Sequence, residues 1–355
     1  MEFGDTHDPR LHESSPHWND LAEFTGTHID LVADTSALQA VPPSSIPGGW
    51  LIAGLLISGF CVILMMVRAS LSINATAPAN ALVVLGAGLA IGARFAFRSP
   101  QNEWQRTVRD GAEYIGLFAL ICLMGVVASY PAAAESSGFA DRSLEHIDRL
   151  LGFDWVRWYD FIASHPSLQL LGSWAYASIY VSPVLLLGHF AIAGRQAQAR
   201  LFMASFWFAA ILTLILFIAF PARGPLAYLW RGPIPYMPTS ALYQAVLIPI
   251  LRAHALHQIG LDALRGLVCV PSFHTESAVL YIAAAWPIAR LRWPILAMNI
   301  AMLLSTPVEG THYLSDMLGG ALVALFALGT VRLLTSQRWS PVVRVRPLRA
   351  STLRG

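Results

Sequence analysis

Two histidines, each set where a polar loop meets an apolar stretch, are the residues best placed to do chemistry in this chain. The first lies in Val270-Pro271-Ser272-Phe273-His274-Thr275-Glu276 and the second in Ser305-Thr306-Pro307-Val308-Glu309-Gly310-Thr311-His312-Tyr313-Leu314-Ser315-Asp316. His312 and Asp316 are four residues apart, so on a helix they share a face. A carboxylate there holds one imidazole nitrogen, fixes the tautomer and raises the basicity of the other, which makes a nucleophile or a general base. His274 can then protonate a leaving alkoxide. A helix start offers free backbone N–H groups and the positive end of the dipole, so Ser272 and the backbone near Thr275 suit phosphate oxygens. The chemistry that fits is attack on a phosphate ester.

No metal or cofactor is called for by these residues. The chain has no HExxH and no aspartate-rich cluster, and Cys61, Cys122 and Cys269 make no CxxC spacing, so they read as small apolar fillers. Glu309 reads as a loop acid facing water, and Glu276 as a first-turn carboxylate that favours the helix dipole.

The elements that must position these residues are membrane helices. Of the 355 residues, 55% are hydrophobic and 12% charged, about half the charge of a soluble domain. The net charge of +2 gives no nucleic-acid footprint, and every basic side chain other than histidine is arginine. A span needs roughly 20 apolar residues. Stretches of that kind run over 50–67, 79–97, 112–130, 171–193, 201–220, 274–289, 293–307 and 313–334, the sixth and seventh forming a tight hairpin around Arg290 and Arg292. Eight spans put Arg94, Arg98, Arg106, Arg109, Arg195, Arg200, Arg290 and Arg292 on one side, which the positive-inside rule makes cytoplasmic. Both histidine junctions then face outward, into the periplasm if the membrane is a bacterial inner one.

The fold class expected is an all-α polytopic membrane protein. Residues 1–49 read as a cytoplasmic tail, 50–111 as two extra spans, 112–334 as a six-helix catalytic core, and 335–355 as a basic cytoplasmic tail. Two outward segments are long. Residues 132–170 carry Leu144, Ile147, Leu150 and Leu151 at helical spacing, as an interfacial amphipathic helix would. Residues 221–270 are rich in proline and form a wall near the site.

The paired motifs resemble those of the type 2 phosphatidic acid phosphatase superfamily of membrane phosphatases and phosphotransferases. Pro271-Ser272-Phe273-His274 is similar to its Pro-Ser-Gly-His motif, with Phe273 in place of glycine. Ser305, His312 and Asp316 fit Ser-Arg-x5-His-x3-Asp, with Thr306 where the arginine stands. Arg223-Gly224-Pro225 is closest to Lys-x6-Arg-Pro, with one residue inserted and Leu216 at the lysine position. The resemblance implies that His312 attacks phosphorus, Asp316 orients it and His274 protonates the leaving group. It also implies that Ser272 and Arg223 hold phosphate oxygens, and that the substrate is a lipid phosphate or diphosphate. Two of the family's cations are missing, so Arg223 first and Arg265 second are expected to compensate. Similar departures occur in the inositol phosphorylceramide synthase branch, where the transferred group carries less charge and an alcohol replaces water as acceptor. A reading of another class, a transporter or scaffold, would place ionisable residues in the middle of spans, whereas here they cluster at span ends.

Overall fold

The computed structural model of the protein describes residues 46–336, so the two expected tails fall almost wholly outside the described residues. The helices are α1 (Gly48–Arg68), α2 (Ala79–Ala96), α3 (Glu103–Glu135), α4 (Asp141–Leu150), α5 (Trp155–Ala163), α6 (Pro166–Ala177), α7 (Val181–Ile192), α8 (Gln196–Ala219), α9 (Pro225–Leu229), α10 (Tyr243–Arg252), α11 (Phe273–Ala285), α12 (Arg292–Glu309) and α13 (Leu314–Ser336). A 3-10 turn, Ser178–Tyr180, joins α6 to α7 as one span. Two-residue strands β1 (Ser72–Ile73) and β2 (Gln258–Ile259) pair in parallel and tie the α1–α2 link to the loop after α10.

The chain is an all-α polytopic membrane protein. Among the described residues, six helices are long and apolar enough to cross a bilayer: α1, α2, α3, α6–α7, α8 and α13. The solvent these helices require is legible from α2, which has no buried residue and exposes Leu82, Val84, Leu85, Leu89, Ile91 and Phe95. Such a surface is stable only against lipid.

Helices α11 and α12, expected as the sixth and seventh spans, fall short of these six by length and composition. At about 1.5 Å per residue, the 13 residues of α11 reach about 20 Å, short of the ~30 Å hydrocarbon layer. Helix α12 is polar by comparison, carrying Asn299, Thr306 and Glu309, all buried. Helix α11 is enclosed by α8, α12 and α13, while α12 packs on α6 and α11 with one face and exposes Trp293, Ile300 and Leu304 on the other. Their polar side chains therefore meet protein, as Asn299 does in donating to Ser182 Oγ at 3.0 Å.

Helix α3 sets the polarity of the bundle. Near its start, Glu113 pairs with Arg94 of α2 (2.9 Å) and Arg200 of α8 (3.9 Å). Beyond its other end, Ser136 accepts from Arg252 at 3.0 Å, and the chain turns into α4 beside the loop that follows α8. The arginine-rich end and the end that gathers the α11 and α13 starts are thus opposite ends of one 33-residue helix. The first two spans attach from outside, α2 to α3 and α1 to α3, with Trp207 of α8 donating to Ser58 of α1 at 3.1 Å.

Helix α13 crosses the start of α11 at Gly320, where a Cβ would lie 2.3 Å from the Ser272 carbonyl oxygen. Only glycine admits that approach. Gly320→Ala is expected to destabilise the protein by about 1–3 kcal/mol through forced separation of the two helices, read as a lower melting temperature in detergent. Unchanged melting would mean the helices are free to part.

Candidate active site

Three helix ends meet around His312: the start of α11, the end of α12 and the start of α13. The link Gly310–Tyr313 is held open by Thr311, a non-glycine residue at φ 51°. Such a conformation persists only where neighbours over-determine it, and they do. Gly224 (φ 92°) approaches so closely that a Cβ there would sit 2.9 Å from Thr311 Oγ1, Ser240 Oγ lies 3.2 Å from that hydroxyl, and the Cys269 thiol faces the Thr311 carbonyl at 3.9 Å. The residue before His312 is pinned by three separate stretches of chain.

His312 itself is buried, and its Nδ1 lies 3.0 Å from Asp316 Oδ1. The second oxygen of Asp316 accepts the Tyr313 N–H at 2.8 Å, and its carbonyl accepts the Ser272 N–H at 3.2 Å. One residue therefore orients the imidazole, satisfies a free donor at the α13 start and braces that start to α11. The other first-turn donors of α13 are satisfied from α4, where Asp148 accepts from Leu314 N (2.8 Å) and Ser315 N (2.7 Å).

His274 stands in the first turn of α11, its ring centroid 6.3 Å from that of His312. Tyr176 stacks on it at 4.0 Å and 18°, with the phenol oxygen 3.2 Å from Nδ1. Each histidine thus has its Nδ1 engaged and its Nε2 left over. Ser272 caps α11, accepting from Thr275 N (3.4 Å) and Thr275 Oγ1 (3.3 Å), while its own hydroxyl hydrogen stays available. Phe273, where glycine would fit the motif, turns into the core and meets Phe206 edge-on at 5.5 Å.

The structure brings His274, His312, Asp316, Ser272 and Thr275 into one cluster, with Arg223 at its margin. The backbone of Arg223 is fixed by Asp141, and its guanidinium lies 4.6 Å from the Phe139 ring centroid. Arg265 is placed apart: its guanidinium lies over Tyr243 at 4.8 Å, its N–H donates to Tyr130, and no hydrogen bond or ion pair joins it to the cluster. Thr306 is buried and donates to Met302 O within its own helix, and Leu216 packs on the core, so neither position supplies a cation.

Glu309 is a correction. It does not face water but is buried at the end of α12, where it accepts from Tyr236 Oη (2.5 Å), Thr239 N (3.1 Å) and Thr239 Oγ1 (2.7 Å). Burial and this carboxylate together push the Tyr236 phenol up, so it stays protonated as the donor. The proline-rich segment is thereby seated over the α12–α13 link, helped by Trp155 donating to Pro307 O (2.7 Å) and Tyr159 to Tyr236 O (2.5 Å).

Sequence reasoning missed Tyr176, Asp141 and Asp148. Tyr176 carries no signal in an apolar stretch. The two aspartates did carry one: with Leu144 they recur at helical spacing, and all three are buried. Asp141 accepts from Arg223 N, Gly224 N and Tyr313 Oη, each at 3.0–3.1 Å. Burial and Asp141 raise the Tyr313 phenol, which remains a donor.

Cys269, His312 and Asp316 bring one ligand atom each within 4.8 Å of one another. Two of those atoms are already bonded as the His312–Asp316 pair, and burial holds the Cys269 thiol well above its usual range, away from the thiolate that binds metals. His312 and Asp316 are hydrogen-bonded to each other, while the Cys269 thiol donates to the Thr311 carbonyl.

Asp141→Ala would leave two backbone N–H groups and a buried phenol without an acceptor. The expected cost is about 2–4 kcal/mol of stability, measured by denaturation in detergent, with Asp141→Asn losing less. Equal stability of all three proteins would show that water replaces the carboxylate.

No curated protein and no solved structure matches the chain. Residues 142–330 match the sequence model of the PAP2 superfamily, and this stretch runs from α4 to α13 and contains both histidines, Asp316, Ser272 and Arg223. It covers more than half of the chain. The chain belongs to the PAP2 superfamily, which generally comprises phosphatases and related phosphotransferases.

Proposed function

We propose that the protein is a lipid-phosphate phosphatase that works through a phosphohistidine on His312. The observation that carries this reading is the pair of imidazoles 6.3 Å apart, each held through Nδ1 and each left with Nε2 for chemistry. That gap accommodates one phosphorus centre with near-attack contacts of about 3–3.5 Å.

In the first step His312 Nε2 attacks phosphorus, made basic by Asp316 at Nδ1. The P–O bond to the lipid breaks, and His274 gives its Nε2 proton to the departing alkoxide. For this step His274 is the imidazolium, its Nδ1–H donated to the Tyr176 hydroxyl oxygen and its Nε2–H left for the alkoxide, and it is neutral afterwards. In the second step His274 takes a proton from water, whose oxygen attacks the phosphohistidine and frees phosphate and His312. Ser272 Oγ–H, the N–H groups at the α11 start and Arg223 stabilise the phosphate oxygens.

The site lies at the end of the bundle opposite the Arg94–Glu113–Arg200 cluster. Under the positive-inside rule this is the outer face, the periplasmic one in a bacterial inner membrane. A second reading, phosphotransfer of a head group to an alcohol, is favoured by one observation: Thr306 and Leu216 stand where the family's motifs have cations. A phosphodiester carries less charge and needs fewer cations. The first step is the same, and the segment Glu309 holds over the site would then exclude water from the second.

The test is purified protein in detergent with radiolabelled lipid phosphates, with and without inositol or other alcohols. Free phosphate is the expected product, and a new labelled lipid would support the transferase. His312→Ala should lower turnover at least about 10,000-fold and abolish an acid-labile phosphoenzyme. Asp316→Asn should cost about 100- to 10,000-fold. Undiminished turnover in His312→Ala would end the phosphohistidine reading.

A further inference from the structure

Glu276 stands two residues after His274 and has no part in moving phosphate. Two residues on a helix are about 200° apart, so the two side chains leave α11 on opposite sides. Glu276 is fully buried, and one of its carboxyl oxygens makes a short hydrogen bond with Thr213 Oγ1 of α8. Its other oxygen, Oε1, has no partner among the described residues. The helix dipole at the α11 start favours a carboxylate by at most about 2 kcal/mol, whereas burying an unpaired ion costs several.

No cation balances it. Among the described residues no arginine or histidine lies within ion-pair distance of Glu276. The elements packed on α11 are α7, α8, α12, α13 and the 3-10 turn. Arg200, Arg292, Arg332 and His189 lie toward the ends of their helices remote from the histidine pair. Glu309, His312 and Asp316 are bonded elsewhere. Tyr180 of the turn and Tyr281, five residues on along α11, are phenols without charge. Burial without a countercharge keeps Glu276 in its protonated, neutral form.

The bond ties together two stretches of chain that build the site. Helix α8 runs into the loop of Arg223, and α11 begins with Ser272 as its cap and His274 in its first turn. Around the bond the two helices meet through rings, Phe206 lying 5.5 Å from Phe273 and 6.2 Å from Tyr281. Apolar contacts are non-directional, which leaves the rotation of α11 on α8 to the hydrogen bond. We infer that Glu276 is a positioning residue: in its neutral form it locks the start of α11 to Thr213 and thereby holds His274 in register with His312, and ionisation releases the lock. Water favours the anion as pH rises while the fold favours the acid, so the lock is complete at low pH and weakens on the alkaline side. Its effect on turnover rests on the phosphohistidine reading; the lock itself does not.

The test compares the full chain in detergent as wild type, Glu276→Gln, Glu276→Ala and Thr213→Val, each across pH. Glu276→Gln, an uncharged isostere, should keep kcat/KM for a lipid phosphate within about threefold of wild type at the wild-type optimum. It should also keep that activity on the alkaline side, where wild type falls about tenfold or more. Glu276→Ala should lose about tenfold or more at every pH, mainly in kcat. Thr213→Val, which removes the hydroxyl and keeps the shape, should lose a similar amount and stands in if the alanine variant fails to fold. Melting temperature, read without substrate, should fall more steeply with rising pH in wild type than in Glu276→Gln. The lock is overturned if Glu276→Gln loses as much as Glu276→Ala, which would mean that the charge is needed. It is equally overturned if wild type and Glu276→Gln decline together as pH rises, in turnover or in melting. Melting curves that part with pH, in proteins that release phosphate from no lipid, would instead sink the phosphatase reading and leave the lock standing.

Discussion

Asp316 is the residue on which the rest of the site depends. Its two carboxylate oxygens and its carbonyl reach three different places: the imidazole of His312, the N–H of Tyr313 and the N–H of Ser272. These three bonds set the ring, begin helix α13 and fix the separation of α13 from α11. A helix start has four donors without intrahelical partners. Here three of them, on Tyr313, Leu314 and Ser315, are shared between Asp316 and Asp148, a residue of a different helix. The α13 start is consequently stable only when α4 is docked on it, so the geometry of the two histidines is a tertiary property and not one of local sequence.

Charge is distributed along the bundle with economy. Ionisable side chains are costly within the bilayer, and at one end Arg94 and Arg200 are matched to Glu113, Arg106 to Glu103 and Arg109 to Asp110. At the other end three buried carboxylates are spent on backbone N–H groups and hydroxyls: Asp141, Asp148 and Glu309 all accept from neutral donors.

The seated proline-rich segment follows from the same arithmetic. Residues 230–242 contribute few long apolar side chains to bury, and they are held chiefly by bonds to groups fixed in place: Glu309 at the end of α12, and Tyr159, whose stacking on Trp155 at 5.0 Å orients its phenol. Since Glu309 and His312 lie on the same short link, the segment and the imidazole share one support. Any displacement of the segment is felt at Thr311, which already occupies a conformation that needs its neighbours.

Much of this was legible in the sequence, for identifiable reasons. Apolar length reveals spans because the bilayer imposes a length, and the i, i+4 spacing of His312 and Asp316 forecasts their bond because helix geometry leaves no other neighbour. Helices α11 and α12 differ from the other spans because α11 is enclosed by α8, α12 and α13 and can be short, while α12 turns Asn299, Thr306 and Glu309 toward protein and can be more polar. Glu309 was misread for a related reason: in a loop of a soluble protein a carboxylate faces water, but here Tyr236 and Thr239 arrive from about seventy residues away to surround it. The clearest case is α4. Its apolar residues Ile147 and Leu150 point outward, and its buried face is Asp141, Leu144 and Asp148. The usual assumption that the hydrophobic stripe marks the inside is inverted where the outside is lipid. In such a helix the acidic positions identify the face that touches protein, and these two acids hold the starts of the very segments that carry Arg223 and His312.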